Sequence, residues 1–140
     1  MDDIHSILVS HKEKKFKPHN LGPKDASQMP VASTSEIPDL FFDDILIRFK
    51  LSRIQVLILM HLYRLVWCKP NVYQEYGLTQ ILSVAEICQK FGLSLDEYHQ
   101  TIKSLESFGF IETMRVGQYF VRKYFTREND NFYGQFYDSF

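Results

Sequence analysis

SVAEICQKFGLSLDE, residues 83–97, carries one four-residue signal twice: Ser83 is followed three positions on by Glu86, and Ser94 by Glu97. A serine hydroxyl just ahead of a helix accepts a hydrogen bond from the free amide three residues later, and the glutamate carboxylate accepts one from the serine amide. Each unit therefore predicts a helix N-terminus, and two helices begin eleven residues apart. The first must stop inside that interval. Gly92 is the stop, because the left-handed residue that ends many helices is least strained as glycine. The stretch reads as a helix over 83–91, a tight turn and a longer helix from Ser94, which together make a helix-turn-helix. In the second helix Leu95, Tyr98, Ile102, Leu105 and Phe108 recur at spacings of three and four and predict one core stripe. The outward set is Asp96, Glu97, His99, Gln100, Thr101, Lys103 and Ser104.

Working upstream, LSRIQVLILMHLYRLVW (residues 51–67) is apolar on nearly every helical face and predicts a central buried helix, opened by a capping box at Ser52 and Gln55. KPNVYQEYG (69–77) is a loop by its Pro, Asn and Gly, and residues 78–82 read as a short strand. Downstream of Gly109 the period changes to two. FIETMRV and YFVRKYF, separated around Gly117 and Gln118, predict two antiparallel strands with a tight turn. Helix, short strand, helix-turn-helix and hairpin, in that order, is the winged-helix layout, an α+β fold that is mainly α. Three segments follow: an arm over 1–36, polar and rich in Lys, Ser and Pro, expected to be disordered; a winged-helix domain over 37–127; and an acidic aromatic tail over 128–140.

The chain of 140 residues, with 45% hydrophobic content, has room for one domain with a real core plus tails. Its net charge of −1 argues against a protein that coats polyanions by bulk charge, so local charge must carry any nucleic-acid argument. Cys68 and Cys88 lack the close spacing of a metal knuckle and fit a reducing, cytoplasmic setting. The N-terminal stretch MDDIHSILVSHKEKK places its acids first and its bases after the apolar residues, the reverse of a secretory signal. His61 and Arg64 interrupt the best apolar run, so no membrane span is expected.

IPDLFFDDILIRFKLSRIQVLILMHLYRL (37–65), together with LSVAEICQKFGLSLDEYHQTIKSLESFGFIE (82–112), resembles the N-terminal winged-helix domain of phage and plasmid replication-initiation (replisome-organiser) proteins. The resemblance covers about residues 37–126. Its second half is similar to many winged-helix transcription regulators, while the Ile37-Pro38 lead-in and the Leu62-Tyr63-Arg64-Leu65 helix end lean towards the replication group. It implies double-stranded DNA binding, with the second helix of the motif in the major groove and the hairpin beside the backbone.

Phosphate neutralisation supplies much of DNA affinity, so the bases must be found. From Ser94 to Phe108 one Lys faces Asp96, Glu97 and Glu106, a net of −2. From Gly109 to Arg127 the hairpin region carries Arg115, Arg122, Lys123 and Arg127 against Glu112, a net of +3, with Gln118 expected at its tip. The arm from His11 to Lys24 has a net of +4 and includes Lys14 and Lys15. On the helix, His99, Gln100 and Lys103 are the candidates for base edges, since a carboxamide matches adenine and an ammonium matches guanine. Asp96 and Glu97 suit the first turn, where the helix dipole and the cap favour them. The expected contact set is therefore His99, Gln100, Lys103, Arg115, Gln118, Arg122 and Lys123, with Lys14 and Lys15 on the arm.

No nucleophile stands beside a base in a recognisable pattern, and there is no phosphate loop, HExxH or CxxC, so neither catalysis nor a cofactor is expected. NFYGQFYDSF (131–140) repeats Phe-Tyr at four-residue spacing. It would cover apolar surface on its own domain, pair with a second copy, or dock in a partner's groove. Two functions are left open: a DNA-binding protein in transcription regulation or replication initiation, with a homodimer supplying contact area, or a protein-interaction module that uses the acidic helix and the aromatic tail.

Overall fold

The computed structural model describes residues 33–139, and the arm predicted over 1–36, with Lys14 and Lys15, lies almost wholly outside them. At the centre is α2, Arg53–Tyr63, preceded by α1, a π-helical turn Phe41–Ile45 that runs into Leu46–Arg48. The Ser52 hydroxyl accepts the Gln55 amide at 3.2 Å and the Gln55 Oε1 accepts the Ser52 amide at 2.8 Å, which is the predicted capping box. Helical backbone continues as a wider π turn, Arg64–Cys68, and ends ahead of Lys69-Pro70, where proline cannot prolong it. Ile58, Leu59, Leu62, Tyr63 and Val66 are buried along its length, against Phe41, Phe110 and Phe125. The Tyr63 and Phe125 rings stack at 5.1 Å.

The repeated serine signal resolves into α3, Val84–Phe91, and α4, Leu95–Ser107, joined at Gly92 with φ +67°. The two starts are not equivalent. Ser94 and Glu97 form the full reciprocal box at 3.0 and 2.9 Å, whereas the Ser83 hydroxyl accepts the Glu86 amide without a return bond from the Glu86 carboxylate. Tyr98, Ile102 and Leu105 form the buried stripe of α4 as expected, but two positions differ. Leu95 is 56% exposed, because the first residue of the helix lies ahead of the turns that meet α2. Thr101, expected outside, is buried, its hydroxyl donating to the Glu97 carbonyl at 2.8 Å so that no polar atom is stranded.

β1, Ile111–Arg115, and β2, Gln118–Val121, form a two-stranded antiparallel sheet in which Ile111 faces Val121 and Arg115 faces Gln118, with an irregularity at Met114. The strand expected at 78–82 is reduced to one bridge, Leu78 to Phe120. Beside this bridge the Thr79 amide donates to the Tyr119 carbonyl at 2.9 Å, but the Thr79 carbonyl accepts from Gln118 Nε2 at 3.0 Å and the Tyr119 amide turns to the Thr79 hydroxyl at 3.1 Å, so the backbone pairing goes no further at this residue. The segment touches the hairpin again at the turn, where the Leu82 amide donates to the Gly117 carbonyl at 2.8 Å.

The C-terminal stretch belongs to the same compact unit, Ser35–Phe140, as the helices and sheet. α5, Arg127–Phe132, is capped by the Thr126 hydroxyl, which accepts the Asn129 amide at 3.1 Å. Beyond it Tyr137 packs edge-on against Phe120 at 4.7 Å, and the Asp138 amide donates to the Glu75 carbonyl at 3.0 Å. The tail thus folds back on its own domain. The whole is a mainly helical α+β arrangement.

Candidate nucleic-acid interface

The outward face of α4 carries Asp96, His99, Gln100 and Lys103, all exposed, while the opposite face is locked into the core by Tyr98, Ile102 and Leu105. None of the four forms an ion pair among the described residues. A groove of about 370 Å³ runs between this face and β1, lined by Asp96, His99, Gln100, Lys103, Glu106 and Thr113. Its floor is held by Glu106, whose Oε2 accepts the Thr113 amide at 2.9 Å. A second groove, about 280 Å³, lies on the other flank of α4 against the start of α2, lined by Ser52, Ile54, Gln55, Glu97, Gln100, Thr101 and Ser104. Gln100 borders both.

The hairpin differs from its expected form in three places. Gln118, read as a tip residue, is 4% exposed and faces inward onto Thr79, because the turn is Val116-Gly117 and the pleat directs position 118 towards the chain crossing behind it. Arg122 is drawn into an ion pair with Asp130 at 3.0 Å, and its side chain is 15% exposed. Lys123 places its ammonium 5.5 Å from the Trp67 ring and 5.9 Å from the Tyr124 ring and is half-buried. Arg115 is exposed at the end of β1 as expected. His99, Gln100, Lys103 and Arg115 are therefore displayed, whereas Gln118 is buried, Arg122 is paired with Asp130 and Lys123 lies half-buried over the Trp67 ring.

Asp130 is the residue that sequence reasoning missed. It is 2% exposed and accepts from Arg122, from the Tyr124 amide at 3.0 Å and from the Tyr137 hydroxyl at 2.7 Å. Burial raises the Tyr137 hydroxyl pKa, which keeps it protonated as the donor in that bond. The available signal was Thr126 three residues before Asn129, a helix start that made a solvated tail improbable.

His61 lies half-buried at the edge of the Phe91 ring, 5.2 Å between centroids. Burial first, then the charges of Lys90 and Arg64, push its pKa down to about 4 from 6.5. The native state thus resists a proton that the unfolded chain takes up, so stability is full above pH 6.5 and falls as pH drops towards 4. The expected loss is about 1–2 kcal/mol after allowance for solvent screening. Urea midpoints measured across that window for the wild type and His61→Gln check this; equal pH slopes would refute it.

Among the described residues no cluster of His, Cys, Asp or Glu has metal-holding geometry, and no helix is long and apolar enough to cross a membrane. No family description, curated protein or solved structure matches the chain.

Proposed function

We propose that the chain is a winged-helix module that binds double-stranded DNA through α4, in transcription regulation or replication initiation. The observation supporting this reading is the face of α4: His99, Gln100 and Lys103 stand together, exposed and without ion pairs among the described residues, on a helix whose reciprocal cap and buried opposite side hold it rigid. Such a helix, about 10–12 Å across with its side chains, fits a major groove about 12 Å wide. Asp96 and Glu97 sit in the first turn, where they stabilise the helix rather than meet phosphate. Arg115 adds a phosphate contact from the hairpin.

Fluorescence anisotropy with labelled duplex, read across a salt series, tests the reading. The wild type is expected to bind with log affinity falling linearly in log salt, and Lys103→Glu with Arg115→Glu to weaken binding at least tenfold. Absence of wild-type binding at low salt would refute the reading.

A second reading, a protein-interaction module, is favoured by one observation. Arg122 is paired with Asp130 and Lys123 lies half-buried over the Trp67 ring, while Asp96 stays exposed and Phe132 and Phe136 are each 81% exposed on the folded-back tail. Retention of a partner protein by the wild type and its loss in Phe132→Ser with Phe136→Ser, without duplex binding by either, would select it.

A further inference from the structure

Trp67 lies where two further grooves meet, and none of the residues lining them lines the grooves beside α4. It is half-buried in the wider turn that ends the central helix, and its indole Nε1 donates to the Val121 carbonyl at 3.1 Å, which fixes the ring. One groove, about 540 Å³, runs from Trp67 past Tyr63 and Tyr124 to Glu36 and Asp39, on the chain entering α1. The other, about 320 Å³, lies between the loop after the helix and the folded-back tail, where Val72, Glu75, Phe136 and Asp138 line it.

The loop side of the second groove is held from within. Asn71 Nδ2 donates to the Leu78 carbonyl at 2.8 Å and Gln74 Nε2 to the Val66 carbonyl at 3.1 Å. The outward groups are apolar or acidic. Val72 is 74% exposed and Phe136 81%. Glu36, Asp39, Glu75 and Asp138 are all exposed, two on each side of Trp67, and none has an ion-pair partner among the described residues. Lys123 is the cation lining these grooves, so four carboxylates stand against one ammonium, a net of −3. Lys69, two residues past Trp67, lines neither groove.

Two observations besides the carboxylates define the ligand's chemistry. The Trp67 and Tyr124 rings already hold an alkylammonium, that of Lys123 at 5.5 and 5.9 Å, which is the contact a cation makes with an aromatic face. Val72 and Phe136 add exposed apolar surface at the rim, which marks a place of contact rather than a solvated acidic face.

We infer that Trp67 and its two flanking grooves form a docking surface for a basic segment of a partner protein, one that carries lysine or arginine together with apolar side chains. Its cations meet Glu36 and Asp39 on one side and Glu75 and Asp138 on the other, while its apolar groups cover Val72, Phe136 and the edge of the Trp67 ring. The same charge repels phosphate, so this surface takes a protein and not a nucleic acid. Docking here is independent of whether α4 binds duplex.

The test is fluorescence anisotropy of the full chain with a labelled peptide that alternates lysine and leucine, beside the same peptide with glutamate for lysine. The wild type is expected to bind the basic peptide, more weakly as salt rises, and not the acidic one. Glu36→Gln, Asp39→Asn, Glu75→Gln and Asp138→Asn together are expected to weaken binding about tenfold, in the range of several exposed ion pairs. Asp43→Asn, Asp96→Asn, Glu112→Gln and Glu128→Gln change the net charge equally but line neither groove, and are expected to bind as the wild type does. Unlabelled basic peptide should shift the emission of Trp67, the single tryptophan, which places the contact. Circular dichroism melts confirm that each variant is folded. Equal binding of the two peptides, no binding of the basic one at low salt, an equal loss in the control variant, or a Trp67 spectrum that does not move would each overturn the proposal. So would a wild-type dimer in sedimentation that the groove variant dissociates, since that assigns the surface to a second copy of the chain.

Discussion

Gly117→Ala is expected to destabilise the protein by about 2–5 kcal/mol, the sum of a left-handed backbone strain of about 1–2 kcal/mol and an overpacking cost of about 1–3 kcal/mol. Gly117 has φ +81°, and a Cβ built on it would lie 2.3 Å from the Leu82 carbonyl oxygen. That oxygen is backbone and has little room to move, because the Leu82 amide is itself bonded to the Gly117 carbonyl. The hairpin turn would have to lift away from residues 78–82, taking the Gln118 side chain off Thr79. Since that segment leads straight into Ser83 and α3, the damage reaches the helix pair. Urea unfolding gives the number, and hydrogen exchange at the Leu82 amide reports the local opening. A G117A protein within about 0.5 kcal/mol of wild type, the usual range for an inconsequential surface change, would show that the turn is not anchored there.

Asp130→Ala should cost about 3–5 kcal/mol, because removing one partner of a buried pair leaves the other charge uncompensated. Arg122 would lose its counter-ion, and the Tyr124 amide and Tyr137 hydroxyl would lose their acceptors. Against the roughly 5–15 kcal/mol that holds a domain together, this is a large fraction. Trp67, the single tryptophan, lies 6.1 Å from the Tyr137 ring and donates from Nε1 to the Val121 carbonyl, so its emission reports release of the tail. The expected pattern is a lowered urea midpoint and a shifted Trp67 spectrum. Wild-type stability in D130A would mean that the tail contributes nothing to the fold. The same network explains why charge reversal at Arg122 is a poor probe of DNA contact: a glutamate there would face Asp130 and unfold the tail whether or not DNA binds.

Much of the framework was legible because its determinants are local. The Ser52–Gln55 and Ser94–Glu97 boxes, the Gly92 stop, the apolar run of α2 and the alternation after Gly109 each act within a few residues, and each element formed where those signals stand. The display of His99, Gln100 and Lys103 was readable for the same reason, since helical spacing assigns their face once Tyr98, Ile102 and Leu105 are assigned to the core. Charge on the hairpin was not readable in this way. Arg122, Lys123 and Gln118 carry ordinary surface chemistry, and only the approach of Asp130, Trp67 and Thr79 in the folded chain engaged them.

Sequence by itself determined the order and type of the main elements, two of the three serine caps in full, and the outward face of α4. Tertiary structure alone decided that residues 78–82 make a single bridge rather than a strand, that the aromatic tail closes on its own domain, and which cations remain on the surface. The division follows from range. Caps and periodicities are settled by neighbours three or four residues apart, whereas a side chain's burial depends on which remote groups reach it, and those contacts exist only once the chain has closed.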